Sequence, residues 1–257
     1  MRNMFGTLVI SLVFVSAAGM PVAAQEPLPW AYAIPPAPPA GSPAAAQPAP
    51  DTSLKSLPGS SSQFTRAQIS NGYGPADWFA GDHPPMPDIV AKGKQQTETR
   101  ACGLCHYPNG KGRPENAGVA GLPVAYFIQT LHDFKNGKRK SADSRKANVN
   151  GPRGMIDIAK ALTDEEMKAA AEYFGAMKWT PWIKVVETET VPKMRIQGGM
   201  HIPLAGAERE PIGQRIIETP ENPEHTEVLR DPRSGFIAYV PVGSVKKGEA
   251  LVTTGGG

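Results

Sequence analysis

Residues 100–112, RACGLCHYPNGKG, contain both cysteines of this 257-residue chain and one of its five histidines. Cys102 and Cys105 are separated by two residues, and His106 follows directly. Three kinds of chemistry use two cysteines this close together: a disulfide, a metal site and covalent attachment of haem. The rest of the chain has to discriminate among them.

Neither a disulfide nor a zinc site suits this segment well. A bridge between Cys102 and Cys105 would close a very short loop and add little global stability. A structural zinc site needs four Cys or His ligands in spaced pairs, and this segment offers at most three. A redox-active dithiol needs its C-x-x-C at the start of a helix within a strand–helix–strand unit, whereas the flanks here are predicted to be helix and loop. These remain less favoured alternatives.

The spacing C-x-x-C-H is typical of haem attachment. Two thiols can add to the haem vinyl groups while the adjacent imidazole turns toward the iron. We therefore predict one haem c per chain, bound covalently by Cys102 and Cys105, with His106 as an axial iron ligand.

Met155 is the predicted second axial ligand. It lies in VNGPRGMIDIAKALT, in what we predict to be a loop with glycine and proline just before the last helix. Met167 and Met177 fall on the apolar face of that helix, where core packing is expected. Ligation by His132 instead would give a bis-histidine haem and is the alternative.

The helical part of the chain is predicted to run from residue 64 to residue 180. PVAYFIQTLHDFKNG (123–137) has apolar residues at helical spacing, and LTDEEMKAAAEYFGAM (162–177) opens with a capping box. The predicted fold is therefore mainly α, a small helical domain around one haem. Residues 181–257 are predicted to be an irregular extension with strands at KVVETETVPK and GFIAYVPVGSV, and loop between them.

The N-terminal region predicts export. Residues 1–24 have a basic start, an apolar core and a small-residue cleavage site, so they are predicted to be a signal peptide cleaved before Gln25. An uncleaved membrane anchor is the alternative, but no second apolar run follows. Residues 25–63 are predicted to be a disordered tether rich in Pro, Ala and Ser. The predicted location is the periplasm, with no integral span after cleavage.

Three stretches of the sequence carry a family resemblance. CGLCHYPNGKG (102–112), GLPVAYFIQTLHDFKNGKRK (121–140) and MIDIAKALTDEEMKAAAEYF (155–174) together resemble class I c-type cytochromes, in particular the cytochrome c4 and c553 branch. The resemblance implies a small cytochrome c-like helical domain, His/Met ligation and one-electron transfer. It also implies that Phe127, Leu131 and Tyr173 lie on helices that line the haem pocket.

The last residues of the sequence predict the start of a second cytochrome c unit. Val245, Lys247 and Gly248 in SVKKGEALVTTGGG match the spacing of Val90, Lys92 and Gly93 ahead of the first CxxCH. We expect the extension to lead into a missing second cytochrome c unit, so that the chain resembles a dihaem cytochrome cut before its second CxxCH. A stop codon directly after Gly257 in the parent gene would exclude this, and chance similarity is the alternative.

Charge bears on partners. The formal net charge is +3, too small to indicate nucleic-acid binding. Residues 135–153, here called the basic block, contain seven Lys or Arg against one acid, Asp143. Such a block near a haem edge would steer an acidic redox partner, although it could equally be a solvated loop.

The predicted function is single-electron transfer, as a carrier or as the cytochrome subunit of a dehydrogenase or oxidase, and the predicted protein is not itself an enzyme. A haem peroxidase or thiosulfate-type oxidase with a labile sixth ligand is the alternative.

Overall fold

The computed structural model describes residues 33–34, 41, 51–206 and 208–255. The predicted signal peptide and most of the predicted tether lie outside these residues. The part of the tether that is described, residues 51–63, makes ordered contacts that a disordered tether would not make: Leu54–Lys55 pairs antiparallel with Phe64–Thr65, and Leu57 is 3% exposed, although most of the segment is exposed. A single buried leucine in a polar segment is too weak a sequence signal to predict this packing.

Short helices make up the first part of the described chain. They are α1 (Arg66–Ile69), α2 (Asp88–Ala91), α3 (Cys102–His106), α4 (Val124–Lys135), α5 (Ala147–Asn150), α6 (Met155–Ala161) and α7 (Asp164–Gly175). Single 3₁₀ turns lie at Ala80–Asp82 and Gln95–Thr97. The predicted helical character of this region is confirmed, and no helix in the described part of the chain is long and apolar enough to cross a membrane.

Helices α4 and α7 form the centre of the helical core. Their buried faces bring Phe127 and Phe174 into a stacked contact with ring centroids 6.0 Å apart. Met167 is fully buried in the same core, as its position on the apolar face predicted. Burial of such apolar side chains stabilises the domain because it removes hydrocarbon surface from water.

The capping box predicted at the start of α7 is present. The Glu166 amide donates to Thr163 Oγ1 at 3.2 Å, and the Thr163 amide donates to Glu166 Oε2 at 2.8 Å. We expect Thr163→Ala to lower the free energy of unfolding by about 1 kcal/mol, since it leaves one helical amide without a partner. Denaturant unfolding would measure this. Thr253→Ala, on an exposed helical surface, is the matched control, and equal losses in the two variants would contradict the capping role.

The extension contains more regular structure than predicted. Its strands are β3 (Ile183–Glu187), β4 (Thr190–Pro192), β5 (Met194–Gln197), β6 (Met200–Pro203), β7 (Arg209–Pro211), β8 (Ile217–Pro220) and β9 (Phe236–Val240). Strand β9 pairs parallel with β3 and antiparallel with β8, while β4 pairs with β7 and β5 pairs with β6. A π-helical segment, Glu224–Leu229, precedes β9, and α8 (Ser244–Thr254) follows it.

The strands predicted at both ends of the extension are confirmed, whereas the prediction of loop between them is wrong. Isolated apolar residues hold this stretch together: Met200 and Ile202 are buried against Phe236, and Ile212 and Ile217 are buried with Val191. Strands this short leave little periodicity to detect among the prolines and charges of the sequence. The predicted match of α8 to a second unit stays a prediction.

Candidate haem site

The cysteines and the histidine of CxxCH lie on one short helix, α3, followed by a tight loop. The Gly112 amide donates to the His106 carbonyl at 2.9 Å, which turns the chain back directly after the helix. Gly112 has φ of +71°, and a Cβ there would lie 2.5 Å from the Ala117 carbonyl oxygen. Glycine is therefore required at this position, because both the left-handed backbone and the lack of space exclude a side chain.

The His106 imidazole is oriented by a backbone carbonyl. Its Nδ1 lies 2.7 Å from the Ala117 carbonyl oxygen, so Nδ1 carries the proton and donates it there. The ring also meets Phe174 edge to face, with centroids 6.4 Å apart. Burial lowers the pKa of His106, partly offset by this hydrogen bond. A neutral imidazole with Nδ1–H engaged has a free Nε2 lone pair, which is the usual arrangement of a histidine that binds a metal.

Met155, the other proposed ligand, comes from a different part of the chain. It is the first residue of α6 and follows Gly154, whose backbone is extended. The prediction that Met155 lies in a loop was therefore wrong, because a helix of seven residues begins there. The MIDIAKA stretch is short, and the glycines before it concealed the helix start. Met155 is half-buried and packs against the helical core.

The cavity shared by these two residues, here called the ligand cavity, has a volume of about 440 Å³. Its lining is mostly apolar and includes Phe127 and Leu131, as the resemblance implied, together with the basic residues Arg139 and Lys140. Cofactor sites commonly have this size and this mixture of apolar walls with a few polar groups. With a histidine and a methionine both lining it, the cavity fits a haem held by His106 and Met155.

The cysteines lie next to this cavity but do not line it. Both thiols are free and half-buried; Cys102 packs against the helical core, and Cys105 lines a neighbouring cavity of about 340 Å³, here called the Cys105 cavity. Asn116 lines both cavities, so the two adjoin. Burial raises the pKa of Cys102 to about 12 and also raises that of Cys105.

The alternative chemistries find less support in the structure. Across residues 33–34, 41, 51–206 and 208–255, no group of three or more His, Cys, Asp or Glu side chains is arranged to hold a metal ion. A 3₁₀ turn rather than a strand precedes α3, unlike the setting of a redox dithiol. His132 does not line the ligand cavity, and its Nε2 lies 4.0 Å from Asp164 Oδ1.

Several residues take roles that the sequence did not reveal. Tyr173, which the resemblance placed on a helix lining the haem pocket, does not line the ligand cavity; its hydroxyl donates to the Pro108 carbonyl at 2.7 Å and holds the CxxCH loop against α7. Within the basic block, Arg145 pairs with buried Asp143 at 2.6 Å, while Arg139 lies with its guanidinium carbon 5.5 Å from the Phe134 ring centroid. Some residues of the basic block, Arg139 and Lys140, therefore line the ligand cavity, whereas Arg145 forms an ion pair within the block.

This chain matches one family model and resembles several solved structures, including two of cytochrome c4. A family model described as cytochrome c matches residues 90–178. The reduced recombinant cytochrome c4 of Pseudomonas stutzeri is 27% identical over 34% of this chain and 43% of that one, with a TM-score of 0.28. Cytochrome c4 of Acidithiobacillus ferrooxidans is 30% identical over 33% of this chain and 44% of that one, with a TM-score of 0.27. This chain thus spans less than half the length of either structure, and no curated protein matches it.

Proposed function

We propose that this chain, in which residues 90–178 form a cytochrome c domain with covalent haem c, transfers single electrons in the periplasm. The observation that carries the proposal is the ligand cavity, which His106 and Met155 both line. The proposal assigns one haem to the chain, attached through Cys102 and Cys105. Haem c bound there supplies an Fe(III)/Fe(II) couple that accepts or releases one electron.

The chain's own residues favour electron transfer over catalysis on a substrate. His106, oriented through its Nδ1 hydrogen bond to Ala117, would offer Nε2 to the iron of a bound haem, and Met155, which lines the same cavity, would offer its thioether. With both side chains bound to the iron, no coordination position would be left for peroxide or another substrate. We therefore propose an electron carrier or an oxidoreductase subunit rather than an enzyme in its own right.

The proposed compartment and partner follow from the sequence together with the cavity. The export signal predicted at residues 1–24 supports a periplasmic location. Arg139 and Lys140 line the ligand cavity and belong to the basic block. A positive surface beside a redox centre attracts an acidic partner and speeds its encounter at low salt. We propose an acidic dehydrogenase, oxidase or cytochrome as that partner.

The test is to count covalent haem and record spectra in protein made with a cytochrome c maturation system. We expect one haem per chain that survives denaturation, a sharp reduced α band and a weak near-infrared band from sulfur-to-iron charge transfer. Absence of covalent haem would contradict the assignment of CxxCH. Covalent haem that lacks the sulfur band and turns over peroxide would contradict electron transfer as the function.

The thiol assignment has its own test. We expect Cys102→Ala combined with Cys105→Ala to yield no haem that resists acid–acetone extraction, because no thioether can form. His132→Ala is the matched control, since His132 lies outside the ligand cavity, and it should retain full covalent haem and an unchanged spectrum. A changed axial band in His132→Ala would instead favour the bis-histidine alternative.

A further inference from the structure

Residues 227–233 of the extension, here called the strap, lie against the N-terminal segment and the CxxCH loop. The Trp78 indole Nε1 donates to the Leu229 carbonyl at 2.7 Å, inside the cluster that Leu229 shares with Leu57, Ile69 and Phe79. The Asn109 side-chain amide donates to the Pro232 carbonyl at 2.7 Å. The extension is therefore packed onto the haem domain by buried contacts rather than appended to it.

Arg230 is the strap residue that reaches CxxCH itself. Directly after Leu229 the backbone turns through the left-handed region, with Arg230 at φ of 52°. Its guanidinium donates to the carbonyl oxygen of Leu104, a residue between the two cysteines. The guanidinium carbon also lies 5.7 Å from the centroid of the Tyr107 ring. A residue 126 positions away from Leu104 in the sequence thus contacts residues on both sides of Cys105.

This contact supplies a hydrogen-bond donor to a backbone carbonyl of α3. The helix has five residues, so its carbonyls lack the donors that a following turn of helix would provide. A cationic donor near a helix C-terminus satisfies such a carbonyl and interacts favourably with the helix dipole. Arg230 therefore stabilises the orientation of the helix that carries Cys105 and His106.

Among the described residues, no carboxylate contacts the Arg230 guanidinium directly, although the charges of Glu115 and Glu227 act on it from farther away. Its neighbour Arg113 has two carboxylates, Glu115 in direct contact and Glu227 at 3.2 Å. No carboxylate in the described ranges lies within 4.0 Å of the Arg230 guanidinium, and the Cys105 cavity that it lines also contains Arg100 and Arg153. Because Arg230 is half-buried, water screens its charge less than that of an exposed arginine.

We propose that Arg230 is a positioning residue of the haem site, supplied by the extension, which fixes the attachment helix and raises the haem reduction potential. This inference rests on the proposed function. The oxidised iron carries one positive charge more than the reduced iron, so a fixed cation beside the attachment loop disfavours the oxidised form. Arg230 and Cys105 line the same cavity, so the charge of Arg230 lies beside the thiol that is proposed to attach the haem.

The experiment is a redox titration of the full haem-loaded chain in three variants. Arg230→Gln removes the charge, and Arg230→Lys keeps it. Arg233→Gln is the matched control, because Arg233 belongs to the same strap but pairs with Asp82 at 2.7 Å and lies 3.6 Å over the Phe79 ring, away from CxxCH. Covalent haem and the sulfur-to-iron band are recorded for each variant alongside the potential.

We expect Arg230→Gln to keep covalent haem and the sulfur band while its midpoint potential falls below both wild type and Arg233→Gln. Arg230→Lys should recover most of the wild-type potential, a rescue that a purely structural role would not predict. Equal potentials in Arg230→Gln and Arg233→Gln would overturn the inference and leave the proposed function intact. If Arg230→Gln fails to retain haem, Arg230→Lys decides: a holoprotein near the wild-type potential supports the inference, and one whose potential falls overturns it. Absence of covalent haem in the wild type would instead remove the proposed function.

Discussion

Met155→Ala is expected to abolish the sulfur-to-iron band and to lower the midpoint potential, the largest spectroscopic change of any single substitution outside CxxCH. Thioether ligation favours the reduced iron, and axial ligands account for much of the roughly 0.8 V range of protein haems. Covalent attachment should persist, because Cys102 and Cys105 are unchanged. An optical spectrum and a redox titration of the purified holoprotein would measure both effects.

Met177→Ala is the matched control for this prediction. Met177 also packs against the helical core and is half-buried, but it does not line the ligand cavity. The Met177→Ala variant should keep the sulfur band and lower only the free energy of unfolding. A sulfur band that survives in Met155→Ala would show that another methionine, not Met155, is the ligand. A wild-type holoprotein that lacks the band would instead reopen His132 ligation or an open sixth position.

Phe174→Ala is expected to cost about 3–5 kcal/mol of unfolding free energy, since large buried aromatics leave a cavity that the surroundings fill only partly. Phe174 is fully buried and sits at the junction of three rings: Tyr173 at 5.0 Å, Phe127 at 6.0 Å and His106 at 6.4 Å between centroids. The free energy of unfolding of a small domain is about 5–15 kcal/mol, so this loss would be a large fraction of the total. Denaturant unfolding of the holoprotein would measure it.

Trp179→Ala provides the comparison for Phe174→Ala. Trp179 is a large aromatic residue close in sequence but 59% exposed. Its removal should change the unfolding free energy by no more than about 0.5 kcal/mol. Similar losses in the two variants would contradict the placement of the core between α4 and α7.

The features that local sequence could predict are those with local causes. The α7 capping box uses two residues three positions apart, and α4 and α7 have enough apolar residues at helical spacing to be recognised. The CxxCH spacing is set by the chemistry of one cofactor within five residues. Met155 was predicted from its place in the chain, although its helix was not, because α6 has only seven residues and follows glycines.

The remaining features depend on contacts between distant parts of the chain. Leu57 of the predicted tether is buried beside Leu229 of the extension, and Arg230 donates to Leu104 across 126 positions. Such contacts involve single residues in polar surroundings, and a single apolar or charged residue has no periodicity to mark it.

By itself, the sequence determined the two main helices, and it predicted the attachment motif and both proposed axial ligands. These follow from short-range chemistry, namely covalent spacing, capping and the burial of one helical face. Only the tertiary structure decided that His106 and Met155 line one cavity, that Tyr173 braces the CxxCH loop, and that the extension holds α3 through Arg230. Those arrangements depend on which surfaces exclude water together, and that is a property of the packed chain rather than of any segment.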